Sequence, residues 1–281
     1  MNSHRATRQV SSASSTRLLL LYGVFAVVTG SVEFVQGGQA LVGYGGPLES
    51  VERSFIGHIV QAHAGSMIGL GVIALGLARR RESVLPVHRA LFIVNLLLLV
   101  VELLTAPPGE RGLVFAASVV MHLLFAVAFG YVALQTLPEP ETEASNETSS
   151  SPRAATIISF ATLVMASGIV WLLAPARLAA MASGETAGAV AIYVGQIRGA
   201  ADLAIGLIAW AARSARRTPF GRAVIVGLCI SNLLLATTGL LAQLSVLSTP
   251  ARWLVEGLHV FWALAFAGFW HSDASMSRSA Q

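Results

Sequence analysis

The chain has 281 residues, of which 55% are apolar and only 11% are charged, and its mean hydropathy is +0.71. A soluble globular domain carries about twice that charged fraction, so the composition excludes such a domain and predicts an integral membrane protein with the lipid bilayer as its main partner. All 18 Lys and Arg positions are Arg. Because they lie mostly between apolar segments, the net charge of +4 does not indicate a nucleic-acid surface.

The apolar segments predict eight membrane-spanning helices. Each has about 17–25 residues, which suits a hydrocarbon core of about 30 Å at a rise of about 1.5 Å per residue. The flanking chain is expected to form a tail over residues 1–17, a disordered acidic linker over 137–154 and a second tail over 271–281. The predicted spans cover residues 18–35, 55–78, 90–106, 113–136, 155–174, 190–212, 223–247 and 252–270.

The second half of the chain repeats the first. The run NLLLLVVELL at 95–104 is matched by NLLLATTGLL at 232–241, and the same offset of 137 residues joins MHLLFAVAFGY at 121–131 to LHVFWALAFAG at 258–268. Residues 18–136 and 155–270 are therefore predicted to be two copies of one four-helix unit. An even number of spans gives both copies one orientation, so we expect an all-α membrane protein of two parallel four-helix repeats.

The Arg residues predict the orientation. Clusters at 79–89 and 213–222, together with those near both ends of the chain, lie on one side of the predicted topology. Cytoplasmic loops carry an excess of basic residues. We therefore expect a multi-pass protein of the bacterial inner membrane with both termini in the cytoplasm.

Ionisable residues in the spans are candidate functional residues, because each costs several kcal/mol in lipid unless it faces a cavity or a partner. The first repeat has at least one on every helix: Glu33, His58, His63, Glu102 and His122. All lie in the half of the membrane opposite the termini, which predicts an outward-facing polar pocket. His63 and His122 have similar depths on antiparallel helices and would suit haem or a divalent metal. The alternative is that His122 and its match His259 are packing residues.

The second repeat departs from this pattern. In place of Glu33, His58, His63 and Glu102 it has Trp171, Tyr193, Arg198 and Gly239. Arg198 and Asp202 are four residues apart on one helical face, which predicts a structural ion pair. Asn95 and its match Asn232 are predicted to make hydrogen bonds between helices. The first repeat is therefore where the sequence places function.

The sequence has no phosphate-binding loop, zinc helix, nucleophile elbow or Cys pair. It therefore favours a protein that is not an enzyme. The main hypothesis is a protein that binds a small hydrophobic or cationic ligand, a metal or haem. One alternative is a secondary transporter. Another is a structural subunit that assembles with a membrane partner or with its own copies.

One segment resembles a known family. Residues 196–213, QIRGAADLAIGLIAWAAR, have an Arg-Gly pair that enters a helix rich in Gly and Ala. This resembles small four-helix bacterial membrane proteins of the DoxX-like kind. The resemblance implies a four-helix bundle, here in tandem, but no activity and no functional residues. The first repeat has His63-Ala64 at the position of Arg198-Gly199.

Overall fold

A computed structural model describes residues 12–37, 50–80, 85–107, 112–135, 151–183, 188–215, 218–244 and 250–278. Throughout these residues the regular structure is helical. In chain order the helices are α1 (Ser12–Gln36), α2 (Ser50–Arg80), α3 (Leu85–Thr105), α4 (Leu113–Gln135), α5 (Pro152–Leu173), α6 (Pro175–Ser183), α7 (Ala189–Ala212), α8 (Pro219–Gln243) and α9 (Pro250–Arg278).

Eight of these helices, all but α6, are long and apolar enough to cross a membrane. Their outer faces carry exposed apolar side chains such as Leu124 and Leu264, which a bilayer would cover. The expected number of spans is thus confirmed, and the chain is a multi-pass helical membrane protein. The helices extend into both predicted tails, since α1 begins at Ser12 and α9 ends at Arg278. Most of the predicted linker lies outside the described residues.

Local sequence sets where α5 and α8 begin. Ser151 and Thr218 are the N-caps: each side chain accepts a hydrogen bond, at 3.2 Å from the backbone N–H of Ala154 and at 3.0 Å from that of Gly221. A proline follows each cap, where its missing N–H costs nothing. These starts fix which residues of each helix reach the middle of the bundle.

The short helix α6 is an addition to the expected topology. Pro175 cannot continue α5 because it has no N–H to donate, and α6 begins there. With nine residues it is too short to cross a membrane. It packs against α7, with Arg177 and Met181 exposed. Hydropathy alone missed it because its apolar run is short.

The helices pack in a ring in which neighbours in the chain are often not neighbours in space. The contacts run in the order α1, α2, α8, α9, α5, α7, α3, α4 and back to α1, and α2 and α7 also touch across the middle. We call α1–α4 the first unit and α5 with α7–α9 the second unit. The long helices α2 and α7 are thus shared, since α2 packs on α8 and α7 packs on α3.

Small residues permit the closest approaches in this ring. A Cβ added at Gly30 would lie 2.9 Å from the carbonyl oxygen of Ala64, and one at Gly168 would lie 2.7 Å from that of Gly199. These contacts join α1 to α2 and α5 to α7. Between α2 and α8, Gly69 and Gly227 each approach the other's carbonyl oxygen. Larger side chains would push these pairs apart.

The end of the ring at which α1 and α5 begin and α9 ends, here called the terminus side, is tightly closed. Arg153 donates to Asp273 at 2.8 and 3.0 Å, which ties α5 to α9. Deeper in, Phe160 meets Trp262 and Phe266 edge-to-face, with centroids 5.1 and 5.2 Å apart. Such aromatic contacts give the second unit a solid apolar floor.

Candidate functional site

In the first unit the predicted site residues form pairs across neighbouring helices. His63 Nε2 of α2 lies 3.8 Å from Glu33 Oε2 of α1, and His122 Nε2 of α4 lies 3.6 Å from Glu102 Oε1 of α3. His63, Glu102 and His122 are buried, and the Glu33 side chain is 39% exposed. His58 is half-buried on α2. The structure therefore brings together two carboxyl–imidazole pairs.

The pair of Glu102 and His122 belongs to a longer polar network. Asn95 Nδ2 donates to the Leu91 carbonyl oxygen at 2.7 Å, so its Oδ1 is the atom that faces His122 Nδ1 at 3.1 Å. Because that oxygen only accepts, Nδ1 carries the proton and Nε2 carries the lone pair. Ser118 Oγ donates to the carboxyl of Glu102.

The second unit contains the same asparagine–histidine arrangement. Asn232 Nδ2 donates to the Leu228 carbonyl oxygen at 2.8 Å, and His259 Nδ1 lies 3.0 Å from Asn232 Oδ1. The proton therefore sits on Nδ1 of His259 as well, and Nε2 is an acceptor. The sequence offset found the four residues, and the structure adds which nitrogen of each ring is left for another partner.

Glu256 supplies a carboxyl group that the alignment of the two repeats had missed. Gly239 of α8 stands where the first unit has Glu102, which suggested that the second repeat lacks this carboxyl. In the structure a Cβ at Gly239 would collide with the carboxyl group of Glu256, which reaches over from α9 and is buried. The carboxyl is thus kept at this place but comes from the facing helix.

Arg198 and Asp202 lie at the centre of the ring, on α7. Arg198 Nε donates to Asp202 Oδ2 at 3.4 Å, and its guanidinium lies 5.9 Å from the ring centre of Trp171. Ser66 of α2 donates to Asp202 Oδ1 at 3.2 Å. Both carboxyl oxygens are therefore engaged, whereas no described residue accepts from the two Nη groups of Arg198.

A cavity of about 210 Å³ lies beside this group. Its polar lining includes Ser66, Ser167, Arg198, Asp202 and His259, and its apolar lining comes mainly from α5 and α9. The cavity therefore belongs to the second unit, although the sequence placed function in the first. The apolar lining includes Phe160, Leu163, Val255, Leu258 and Trp262.

In the part of the chain that the structure describes, side chains able to bind a metal ion come together only in pairs. There, no three His, Cys, Asp or Glu side chains come together as they would around a metal ion. Haem or a divalent metal at His63 and His122 stays a prediction.

Ser66 and Ser167 are cavity residues that the sequence analysis did not single out. Serine is common in membrane helices, where it packs closely and bonds to backbone, so its residue type alone gave no signal. Glu256 lies near the start of α9, and its residue type alone did not indicate that it would be buried beside Gly239. Searches of known protein families, of curated proteins and of solved structures found no match to this chain.

Proposed function

We propose that this protein binds a small ligand with an acidic head group in the cavity of the second unit. The observation that carries the proposal is the guanidinium of Arg198, a residue that lines the cavity and bonds to Asp202 through Nε. Arg binds carboxylates through two parallel hydrogen bonds. The charge therefore favours an anionic head over the cationic ligand that the sequence suggested.

His259 complements Arg198 in this proposal. In the neutral imidazole with its proton on Nδ1, Nε2 is an acceptor on a ring that lines the cavity. It can therefore accept a hydrogen bond from a protonated carboxyl group while Arg198 donates to the other oxygen. The aromatic and aliphatic wall formed by Phe160, Leu163 and Trp262 suits an apolar body. A ligand with one carboxyl group and an apolar remainder satisfies both sides of the cavity.

We also propose that the two units are tandem repeats of a DoxX-like four-helix bundle. Matched contacts support this. Gln61 and Gln196, at equivalent places in α2 and α7, donate to the carbonyl oxygens of Phe34 and Leu172 at 3.3 and 3.2 Å. With the termini in the cytoplasm, as the Arg residues favour, we expect the polar residues of the first unit to form an outward-facing pocket, whereas the cavity of the second unit lies near the middle of the membrane.

Binding of hexanoate to the purified protein in detergent micelles tests the function. Titration calorimetry should detect a saturable site, and Arg198→Gln should weaken it roughly tenfold or more, because a charge-assisted hydrogen bond is worth about 1.5–3 kcal/mol. The matched control is Arg213→Gln at the end of the same helix, since Arg213 is exposed and donates to the carbonyl oxygen of Trp210. Absence of binding, or equal binding by Arg198→Gln, would overturn the proposal.

A further inference from the structure

The wall of the cavity between α5 and α9 lies toward the lipid. Three of its lining residues are also exposed on the outer face of the ring: Leu163 is 50% exposed, Val255 46% and Leu258 36%. These side chains therefore form the wall between the cavity and the lipid. Since the outer face of these helices is the lipid face, a gap in this wall would admit a molecule dissolved in the bilayer without its crossing the polar surface.

The first unit has a larger side chain at the place of Leu163. This is Phe25, whose ring centre lies 5.4 Å from that of Phe125, so that it lies between α1 and α4. Leu163 is smaller, and Phe160 and Trp262 meet nearer the terminus side. Of the differences between the two outer walls, this one removes an aromatic ring from the second unit.

The size of the cavity limits what can lie inside. A cavity of about 150 Å³ holds one benzene molecule, and drug-sized ligands need about 300–1,000 Å³. A volume of about 210 Å³ accommodates a head group and the first few carbons of a chain. A longer molecule must leave its remainder outside, and the only apolar surroundings beyond Leu163 and Leu258 are the lipid chains.

We propose that the ligand is a single-chain fatty acid that enters from the bilayer between α5 and α9. Its carboxyl group binds Arg198 and His259, and its hydrocarbon tail passes between Leu163 and Leu258 into the lipid. This inference rests on the proposed function and adds the ligand class and the route. A water-soluble acid without a tail would bind the same head-group site without using the opening.

Photolabelling in lipid nanodiscs tests the route. The probe is a stearic acid with a diazirine at mid-chain, and mass spectrometry locates the label. We expect labelling of the α5 and α9 peptides around Leu163 and Leu258 that excess oleic acid removes. Leu163→Phe should lower it roughly tenfold, because the larger ring would fill the gap through which the hydrocarbon tail passes. Leu163→Ala keeps the opening and should label like the unaltered protein.

The matched control is Leu124→Phe, on the exposed face of α4, which should not change the labelling. The methyl ester of the probe should not label the opening, because it lacks the charge that Arg198 binds. Label spread evenly over all outer helices, or full labelling of Leu163→Phe, would overturn the inference. If hexanoate binds while the label is spread evenly, the proposed function stands and the lateral route is wrong. If neither probe binds, both are wrong.

Discussion

Asn95 and Asn232 each organise a histidine on the next helix. The amide N–H₂ is committed to the backbone oxygen four residues earlier, so the amide oxygen has to face the imidazole. This leaves the two units with one acceptor nitrogen each, on His122 and on His259. The first faces Glu102, whereas the second ring lines the cavity.

The sequence offset could predict which residues match, because the asparagine lies 27 residues before its histidine in both units. It could not predict that Glu256 takes the place of Glu102. A side chain that reaches the same point from the facing helix has a different sequence position, and the alignment compares positions rather than points in space. The cavity-lining role of His259 was missed for the same reason, since it depends on the volume of Leu163 on another helix.

Gly239 is the residue at which this substitution of one carboxyl for another can be tested. Gly239→Ala adds a Cβ that meets the carboxyl of Glu256, and we expect it to lower the free energy of unfolding by about 1–3 kcal/mol, as overpacking does. The measurement is unfolding in mixed micelles with increasing dodecyl sulfate.

Gly257→Ala is the matched control, because a Cβ at Gly257 meets nothing within 4 Å. It should be neutral or stabilise by about 0.5–1 kcal/mol, since Ala favours a helix over Gly. Removing the opposing group in the double variant Gly239→Ala/Glu256→Ala should recover part of the loss. Equal effects of the two glycine variants would show that Glu256 does not occupy this place.

Among the helices, α2 and α7 are the ones that join the two units. Each lies against two helices of the opposite unit, α2 against α7 and α8 and α7 against α2 and α3. Hydropathy predicts that a helix crosses the membrane but not which helix lies beside it. The structure shows that Gly69 of α2 serves the contact with Gly227 of α8.

Because the units share these helices, two separately expressed halves should assemble. We expect a fragment of residues 1–140 and an affinity-tagged fragment of residues 150–281 to copurify from membranes when coexpressed. Gly227→Leu should strongly reduce the yield, because even a Cβ at Gly227 lies 2.7 Å from the Gly69 carbonyl oxygen.

Gly268→Leu on α9 serves as the control in this experiment, since a Cβ there meets nothing within 4 Å. Its yield of copurified fragment should equal that of the unaltered halves. Two halves that purify separately, each folded, would contradict the shared packing of α2 and α7.

For the whole molecule, the sequence predicted the number of spans because burial in lipid demands long apolar runs. It did not predict the cavity of the second unit. Ionisable residues are more numerous in the first repeat, but a cavity depends on where side chains are too small to fill a space. Phe25 and Leu163 are both apolar, so hydropathy treats them alike, although only Phe25 fills the gap beside it.

The predicted orientation can be tested with single cysteines in a Cys229→Ala background. Ser214 follows α7 and Ala176 lies in α6, and both are exposed. With the termini in the cytoplasm, a membrane-impermeant maleimide should label Ser214→Cys only in inverted vesicles and Ala176→Cys only in intact cells. Unaltered protein, with Cys229 inside a span, should stay unlabelled. The reverse pattern would contradict the orientation, and labelling of both from one side would contradict the number of spans.

The shared position of α2 and α7 has a consequence for biosynthesis. The helices of the first unit leave the ribosome before α7 exists, and the faces of α2 and α3 that it will cover carry buried polar groups such as Ser66. During that interval these groups have no permanent cover. We therefore expect the first unit to complete its packing only after the second half of the chain is made. Because the chain is synthesised in order, the packing of α2 and α3 is completed by a helix that is made later.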